Sequence, residues 1–267
     1  MKQSILFIGA GRMAESIIAG LYRKNDGNLE NVFISNRNDS NRLEYLVEKY
    51  EVKMVADWKE ILNEVEVIVL AIPPDQHPII LEQMNLLITN QFIVTIAAGI
   101  GPTFLETYLP EKTPVAWMMP NTAAEVGHSI TLFTYGNHVK VQHEQTMEFL
   151  LSAIGHSHYC SENDIHLLTA ITGSAPAFLY LFVESIIDTT EQLGVSRKVA
   201  SELVSEMVYG SIEMLKTGQE PQELRSQVTT PGGATAEGLK VLKEGRFEEL
   251  LKKAVLATNK KAKGENE

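Results

Sequence analysis

The residues most suited to chemistry lie in a glycine-rich turn near the amino terminus. Gly9 and Gly11 stand two residues apart at the end of an apolar run, residues 4–10, and Ala14 follows three residues later. In the G-x-G-x-x-G/A pattern, the first glycine permits a tight turn, the second lets the backbone approach a pyrophosphate, and the last small residue lets a helix pack on the strand. The spacing therefore predicts a dinucleotide-binding turn, with a plain strand-to-helix connection as the alternative.

The end of the next apolar run, residues 31–35, carries a second cofactor signal. An NAD site usually places an acidic residue there to accept a hydrogen bond from the ribose 2′-hydroxyl, whereas this chain has Ser35, Asn36 and Arg37. Because a guanidinium pairs with a phosphate through two hydrogen bonds, the sequence favours NADPH over NADH, which stays possible. The alternative for Arg37 is a solvated surface charge.

These residues need a sheet to position them, and the first half of the chain predicts one. Short β-branched runs alternate with helical patterns at 12–24, 40–50 and 58–65, which is typical of a mostly parallel sheet wound by crossover helices. We therefore expect an α/β fold, a Rossmann-type doubly wound sheet. The predicted strands are 4–10, 31–35, 65–72, 92–98, 114–119, 129–135 and 156–160.

Beyond Glu162 the pattern is helical, with long amphipathic stretches at 176–194, 196–218 and 247–261. This change predicts a dinucleotide-binding Rossmann-like domain over residues 1–160 and a helical domain over residues 161–267. The stretch 176–193 carries more apolar surface than one layer hides, so we expect self-association as a dimer through the helical domain.

Two loops follow the fourth and fifth predicted strands, at residues 70–76 and 96–102. Open α/β sheets bind ligands at the carboxyl ends of their strands, so we expect the backbone of these loops to line the ribose and nicotinamide. Their proline and glycine residues are also ordinary turn formers, which is the alternative explanation.

Composition narrows the classes of function. A net charge of −11 over 267 residues argues against non-specific nucleic-acid binding, and no uninterrupted apolar run approaches the roughly 18 residues that cross a bilayer. The single cysteine excludes an internal disulfide framework and is typical of a reducing compartment, so we expect a cytoplasmic protein. With the charge and the short apolar runs, this favours a small-molecule substrate over a nucleic acid or a membrane as the binding partner.

A possible metal cluster is discounted. His156, His158 and Cys160 would share one strand face, and His166 follows. Their spacing matches no common zinc pattern, and Cys160 has neither a cysteine partner nor an evident catalytic environment. We expect polar residues at a strand end and no metal.

Two motifs stand out in the helical half. Residues 172–178 form a small-residue break in which Ser174 is a candidate N-cap and Pro176 a helix start, although a plain helix corner explains them equally well. Residues 229–238, "TTPGGATAEG", place a proline and two glycines before a helix that should begin near Thr235. That arrangement leaves unpaired backbone N–H groups at a helix amino terminus, which favours a carboxylate.

Five segments together carry a family resemblance. They are "FIGAGRMAESIIAGL" near the start, "TIAAGI" at 95–100, "MPNTAAEVG" at 119–127, "TAITGSAPAF" at 169–178 and "VTTPGGATAEGL" at 228–239. The chain resembles the pyrroline-5-carboxylate reductases, the last enzymes of proline synthesis. The resemblance implies NAD(P)H-dependent reduction of the cyclic imine 1-pyrroline-5-carboxylate to L-proline, and a helical domain that interleaves with a second subunit. The chain departs from the family's usual pattern at Pro73, where lysine is usual, and at Trp117, where arginine is usual.

The resemblance also implies the site residues. For the cofactor they are Ile8, Gly9, Ala10, Gly11, Arg12, Met13, Asn36, Arg37, Ala71, Ile72, Pro73, Pro74, Ala97, Ala98, Gly99 and Asn121. For the substrate they are Val228, Thr230, Gly232, Gly233, Ala234 and Thr235.

Hydride transfer to a C=N bond also needs a proton for the nitrogen, and neither helical motif offers a histidine, acid or lysine at a position suited to supply it. Our hypothesis is that the Thr235 hydroxyl is the catalytic group, which orients the imine nitrogen or relays a water while the substrate enters already protonated.

Three alternatives stay open at this stage. A diverged relative would act on another imine, and a non-catalytic regulator would keep the dinucleotide turn alone. A β-hydroxyacid dehydrogenase would need a lysine on the first long helix of the second domain, where residues 172–194 have none.

Overall fold

An eight-stranded sheet is the centre of the amino-terminal half in the computed structural model, which describes residues 3–24, 27, 29–37 and 39–262. The strand order is β3-β2-β1-β4-β5-β6-β7-β8, and every neighbouring pair is parallel except β6 and β7. The strands are β1 (Gln3–Ile8), β2 (Leu29–Ser35), β3 (Lys53–Met54), β4 (Val67–Leu70), β5 (Phe92–Thr95), β6 (Val115–Met119), β7 (Ser129–Tyr135) and β8 (Gly155–Tyr159).

The sheet confirms the predicted fold class and all seven predicted strands. Strand β3 was missed because it has only two residues, too few for a periodic pattern. Strands β1, β4 and β5 end at Ile8, Leu70 and Thr95, so the residues that follow them, predicted as strand, belong to loops.

Helices cover both faces of the sheet. They are α1 (Arg12–Lys24), α2 (Ser40–Tyr50), α3 (His77–Asn85), α4 (Pro102–Tyr108), α5 (Val141–Ser152) and α6 (Glu162–Thr169). The predicted helix at 58–65 is a 3₁₀ helix, Trp58–Glu64.

Strand β1 shows why both faces are apolar. Ile5 and Phe7 join one buried cluster with Ile17 of α1, while Leu6 joins the other cluster with Leu81 of α3. A strand that is buried on both sides reads as a continuous apolar run, as parallel strands under crossover helices do.

Contacts divide the chain into two compact units, residues 1–173 with 259–267, and residues 174–258. The contact division thus falls after Gly173, and the domain boundary near residue 160 stays a prediction. Residues 162–262 form helices, turns and loops without a strand. The remaining helices are α7 (Ala175–Gln192), α8 (Arg197–Lys216), α9 (Pro221–Gln227), α10 (Ala234–Glu244) and α11 (Phe247–Ala262).

Ser174 directly precedes α7 and Pro176 lies in the first turn of that helix, as predicted, but the Ser174 side chain does not cap the helix. Ser174 has helical backbone angles and no capping hydrogen bond, because a π-helical turn, Ala170–Ser174, leads from α6 directly into α7. The orphan N–H groups of a free helix end therefore do not arise there, and nothing remains for a cap to satisfy.

Helix α7 buries none of its residues within this chain. Leu179, Tyr180, Leu181 and Phe182 are between 42% and 63% exposed. By length and mean hydropathy alone, the helical run Glu162–Gln192 is the one described segment that could cross a membrane, although polar and charged residues interrupt its apolar residues.

Candidate active site

The carboxyl ends of five neighbouring parallel strands bring the predicted cofactor residues to one edge of the sheet. Ile8 ends β1 and residues 9–13 follow it, residues 36 and 37 follow β2, residues 71–74 follow β4, residues 97–99 follow β5, and Asn121 follows β6. The strand order reverses between β1 and β4, and open α/β sheets bind ligands at such a switch point. The structure thus brings all sixteen predicted cofactor residues to a single edge.

Gly9 and Gly11 occupy different environments in the turn after β1. Gly9 has φ +107°, and a Cβ atom there would lie 2.2 Å from the carbonyl oxygen of Ala71. A Cβ atom built on Gly11 would have no heavy atom of the described residues within 4 Å. Gly9 therefore permits the close approach of the β1 and β4 loops, whereas Gly11 keeps the outer side of the turn open.

Other residues of this turn divide between core and surface. Ile8 and Ala10 are each only 5% exposed, and Met13 packs partly buried against the sheet. Arg12 is exposed and lies 3.9 Å from the carboxylate of Glu125, a loose surface pair.

An ion-pair network fixes α1 against α2 behind the turn. The Arg42 Nε donates to the Ala10 carbonyl at 2.9 Å, its guanidinium also pairs with Glu15, and Lys49 Nζ donates to Glu15 at 3.0 Å. Burial raises the pKa of Glu15, but the hydrogen bonds from Arg42 and Lys49 outweigh it and bring that pKa down to about 2. Glu15 is thus ionised at neutral pH, and the Arg42 guanidinium is occupied by its bonds to Ala10 and Glu15.

Arg37 is exposed and makes no hydrogen bond or ion pair within the described ranges of the chain. Beside it, Asn36 is half-buried after Ser35, whose carbonyl accepts from the Gly9 amide at 2.8 Å. With Arg42 engaged, Arg37 is an exposed guanidinium at the end of β2 that is available to a ligand.

The segments after β4 and β5 expose mainly backbone and small side chains. Pro73, Pro74, Ala98 and Gly99 are exposed, while Ala71 and Ile72 are half-buried and Ala97 is buried.

Two fully buried side chains behind these segments, His77 and Thr95, are not among the site residues that the sequence predicts. His77 Nδ1 lies 3.0 Å from the Pro73 carbonyl, and His77 Nε2 lies 3.1 Å from Thr95 Oγ1. A lone histidine at a helix start and a threonine at a strand end give no pattern, so only the fold reveals their pairing.

Asn121 is buried and its side chain is already engaged. Its Nδ2 donates to the Thr172 carbonyl at 2.9 Å, and its Oδ1 accepts from the Ala123 amide at 3.1 Å. The side chain thereby joins the end of β6 to the π-helical turn, and one amide hydrogen and one oxygen lone pair remain for a ligand.

Trp117 lies inside β6 and is fully buried in a cluster with Leu132 and Ile165. Its ring centroid is 4.9 Å from that of His166, and its Nε1 has no hydrogen-bond partner among residues 3–24, 27, 29–37 and 39–262. In this chain position 117 therefore serves packing between the sheet and α6.

The predicted substrate motif lies at the start of α10 in the second unit. Gly233 is the N-cap residue, and no side chain caps the helix. The first i→i−4 hydrogen bond of the helix runs from the Glu237 amide to the Gly233 carbonyl. The amides of Ala234, Thr235 and Ala236 consequently have no acceptor in the part of the chain that the structure describes. The helix begins one residue before the predicted start.

The turn before α10 is held by its own backbone. Gly232 has φ +72°, a left-handed conformation that glycine adopts without strain, and the Gly233 amide donates to the Thr230 carbonyl at 3.0 Å. A Cβ at Gly233 would lie 2.3 Å from Thr230 Oγ1. Val228, at 66% exposure, and Thr235 both present their side chains to solvent within this chain.

The histidines on β8 form no cluster. His156 and His158 are exposed, and no group of three or more potential metal ligands occurs among the described residues. Burial, with the nearby Asp164 carboxylate, raises the pKa of the Cys160 thiol, which disfavours a thiolate nucleophile.

The turn, the switch point and the open strand ends define a dinucleotide-dependent oxidoreductase fold. In agreement, residues 4–99 match the family model described as NADP oxidoreductase, coenzyme F420-dependent. Residues 162–265 match the model described as pyrroline-5-carboxylate reductase dimerisation.

Full-length similarity identifies the family. Pyrroline-5-carboxylate reductase 1 of Bacillus spizizenii is 32% identical over 264 residues, which are 98% of this chain and 89% of that protein. The chain belongs to the pyrroline-5-carboxylate reductase family.

Solved structures agree over the whole chain. The pyrroline-5-carboxylate reductase of Coxiella burnetii is 30% identical, with all of both chains covered and a TM-score of 0.87. The Plasmodium falciparum pyrroline carboxylate reductase, solved with NADP bound, is 26% identical, covers 99% of this chain and 98% of its own, and has a TM-score of 0.89.

Proposed function

We propose that this protein is a pyrroline-5-carboxylate reductase that uses NADPH to reduce 1-pyrroline-5-carboxylate to L-proline. The observation that carries the proposal is family membership over nearly the full length, with both the dinucleotide turn and the α10 motif intact. A hydride and a proton add to the C=N bond, so one NADPH and one proton are consumed and NADP⁺ is released.

The carboxyl edge of the sheet suits a dinucleotide that carries a 2′-phosphate. The open side of Gly11 leaves room for a pyrophosphate at the α1 amino terminus, and the exposed Arg37 has no competing partner in the described chain. When bound, NADPH supplies the hydride. The preference for NADPH over NADH rests on Arg37, because Ser35, Asn36 and Arg37 stand at the end of β2, where an NAD site usually has an acidic residue.

The start of α10 suits a carboxylate. Three unpaired amides and the helix dipole favour an anion there, and each hydrogen bond to a charged group contributes about 1.5–3 kcal/mol. Gly232 and Gly233 bring the bare backbone to the ligand, and Val228, Thr230 and Ala234 line the same turn. Thr235 Oγ1 makes no hydrogen bond within the described residues, so it is free to orient the imine nitrogen.

The exposed apolar face of α7 and the match to the dimerisation model support a homodimer formed through the helical unit. Burial in such a dimer interface also explains why the Glu162–Gln192 run is so apolar, and no membrane is needed to cover it. We place the enzyme in the cytoplasm, with a small-molecule substrate and no nucleic-acid partner.

The deciding experiment follows NADPH oxidation with pyrroline-5-carboxylate. Thr235→Ala is expected to lower kcat/KM by about 10²–10³-fold, as loss of a donor to the transition state does. Thr235→Ser keeps the hydroxyl and is the matched control, expected within a few-fold of wild type.

Other results separate the alternatives. Tight NADPH binding without turnover of any imine would support a non-catalytic regulator, and turnover of a different cyclic imine alone would support a diverged relative. Oxidation of a 2- or 3-hydroxyacid with NADP⁺ would support a hydroxyacid dehydrogenase instead.

A further inference from the structure

A buried chain of hydrogen bonds joins the loop after β4 to the loop after β5. It runs from the Pro73 carbonyl to His77 Nδ1 at 3.0 Å, from His77 Nε2 to Thr95 Oγ1 at 3.1 Å, and from Thr95 Oγ1 to the Ala97 amide at 3.2 Å. Both bridging side chains, His77 and Thr95, are completely buried.

The two ends of this chain determine the direction of its two outer bonds. The Pro73 carbonyl can only accept, so His77 Nδ1 carries the proton, and the Ala97 amide can only donate, so Thr95 Oγ1 accepts from it. Burial disfavours the charged imidazolium, and in neutral His77 with its proton on Nδ1 the Nε2 atom can only accept, so the Thr95 hydroxyl donates to it. The neutral Nδ1–H tautomer satisfies all four groups, and burial lowers the pKa of His77 in the same direction.

The bridge lies directly behind the predicted cofactor segments. Pro73 and Ala97 are themselves two of the predicted cofactor residues, and they follow adjacent parallel strands, β4 and β5. Hydrogen bonds constrain both the distance and the direction between two segments more tightly than apolar packing does. Misplacement of reacting groups by about 1 Å can lower the reaction rate by about 10²-fold.

We propose that His77 and Thr95 are positioning residues that hold segments 71–74 and 97–99 in the conformation that binds the nicotinamide dinucleotide. This inference rests on the proposed use of NADPH. The bridge acts through the backbone, since neither side chain reaches the surface.

The test compares Thr95→Val with Thr95→Ser. Valine keeps the shape of threonine but removes the hydroxyl, which leaves His77 Nε2 and the Ala97 amide unpaired, whereas serine keeps the hydroxyl. We expect Thr95→Val to raise the Kd for NADPH, measured by fluorescence titration, by about 10–100-fold. Thr95→Ser should stay within about threefold of wild type.

Further measurements separate positioning from general stability. The KM for the imine, taken at saturating NADPH, should be unchanged in Thr95→Val, because segments 71–74 and 97–99 are assigned to the cofactor. The double variant His77→Leu with Thr95→Val should lose no more affinity for NADPH than the larger single loss, because the bridge acts as one unit. Equal Kd values for the valine and serine variants, a lower Tm without a weaker Kd, or additive losses would each overturn the proposal.

Two safeguards keep the result interpretable. If Thr95→Val does not fold, Thr95→Cys replaces the hydroxyl by a weaker donor, and a wild-type Kd in that variant would contradict the proposal. If the wild-type protein binds NADPH but reduces no imine, the proposed reaction fails while the Kd comparison still tests the bridge.

Discussion

Replacement of Gly11 by alanine tests whether the turn after β1 holds a pyrophosphate. A Cβ at this position meets no heavy atom of the described chain within 4 Å, and the backbone is not left-handed, so alanine fits the described structure. Alanine also restricts the unfolded chain, which raises stability by about 0.4–1 kcal/mol. The methyl group would, however, occupy the side on which a pyrophosphate approaches. We expect the Kd for NADPH to rise at least tenfold, about 1.4 kcal/mol, while Tm stays constant or rises.

Gly9→Ala is the matched contrast. Its Cβ would lie 2.2 Å from the Ala71 carbonyl oxygen, at φ +107°. Backbone strain of about 1–3 kcal/mol and overpacking of about 1–3 kcal/mol add to roughly 2–6 kcal/mol. At about 2–4 °C per kcal/mol for a chain near this size, Tm should fall by about 4–24 °C.

Calorimetry measures both effects, with NADPH titration for Kd and thermal scans for Tm. A Gly11→Ala variant that binds NADPH as the wild type does would refute the assignment of the turn to the pyrophosphate. A Gly9→Ala variant with an unchanged Tm would refute the close approach of the β1 and β4 loops.

Three other outcomes are expected. Arg37→Gln should weaken NADPH binding by roughly 1.5–3 kcal/mol, the contribution of a hydrogen bond to a charged group, and leave the Kd for NADH unchanged. Equal losses of affinity for NADPH and NADH would mean that Arg37 does not contact the 2′-phosphate. Glu15→Gln should lower the free energy of urea unfolding by about 1 kcal/mol at neutral pH, as the loss of a partly exposed ion pair does. Because the pKa of Glu15 is about 2 in the folded chain and has its ordinary value of 4.5 in the unfolded chain, this difference should persist above pH 4.5 and shrink as the pH falls toward 2; a constant difference would contradict the pairing with Arg42 and Lys49. Since burial lowers the pKa of His77 from 6.5, the unfolded chain takes up its proton first, so wild-type stability should decline as the pH falls below about 6.5, and His77→Gln should flatten that decline.

The parts of the fold that the sequence predicts are those with a local signal. The spacing of Gly9, Gly11 and Ala14 is contained in one turn, and the alternating runs place the strands. The bridge of His77 and Thr95 joins residues 18 apart in the chain and exists only because β4 and β5 are neighbours in register. No local pattern carries that information.

Ser174 shows the opposite error, in which a local pattern is present but the surrounding structure overrides it. A serine before Ala-Pro is typical of a helix start, yet the chain passes through a π-helical turn, whose Thr172 carbonyl accepts from Asn121. The roles of Thr235 and of the cofactor residues stay predictions for the variants above to test.

The exposed side chains of α7 make protein concentration a determinant of stability. If Leu179, Tyr180, Leu181 and Phe182 are covered only by a second copy, part of the driving force for folding comes from association. The free energy that holds the dimer together then falls by about 1.4 kcal/mol for each tenfold dilution. Dilution would act on this protein as a mild denaturant, and a melting temperature would describe it only at a stated concentration.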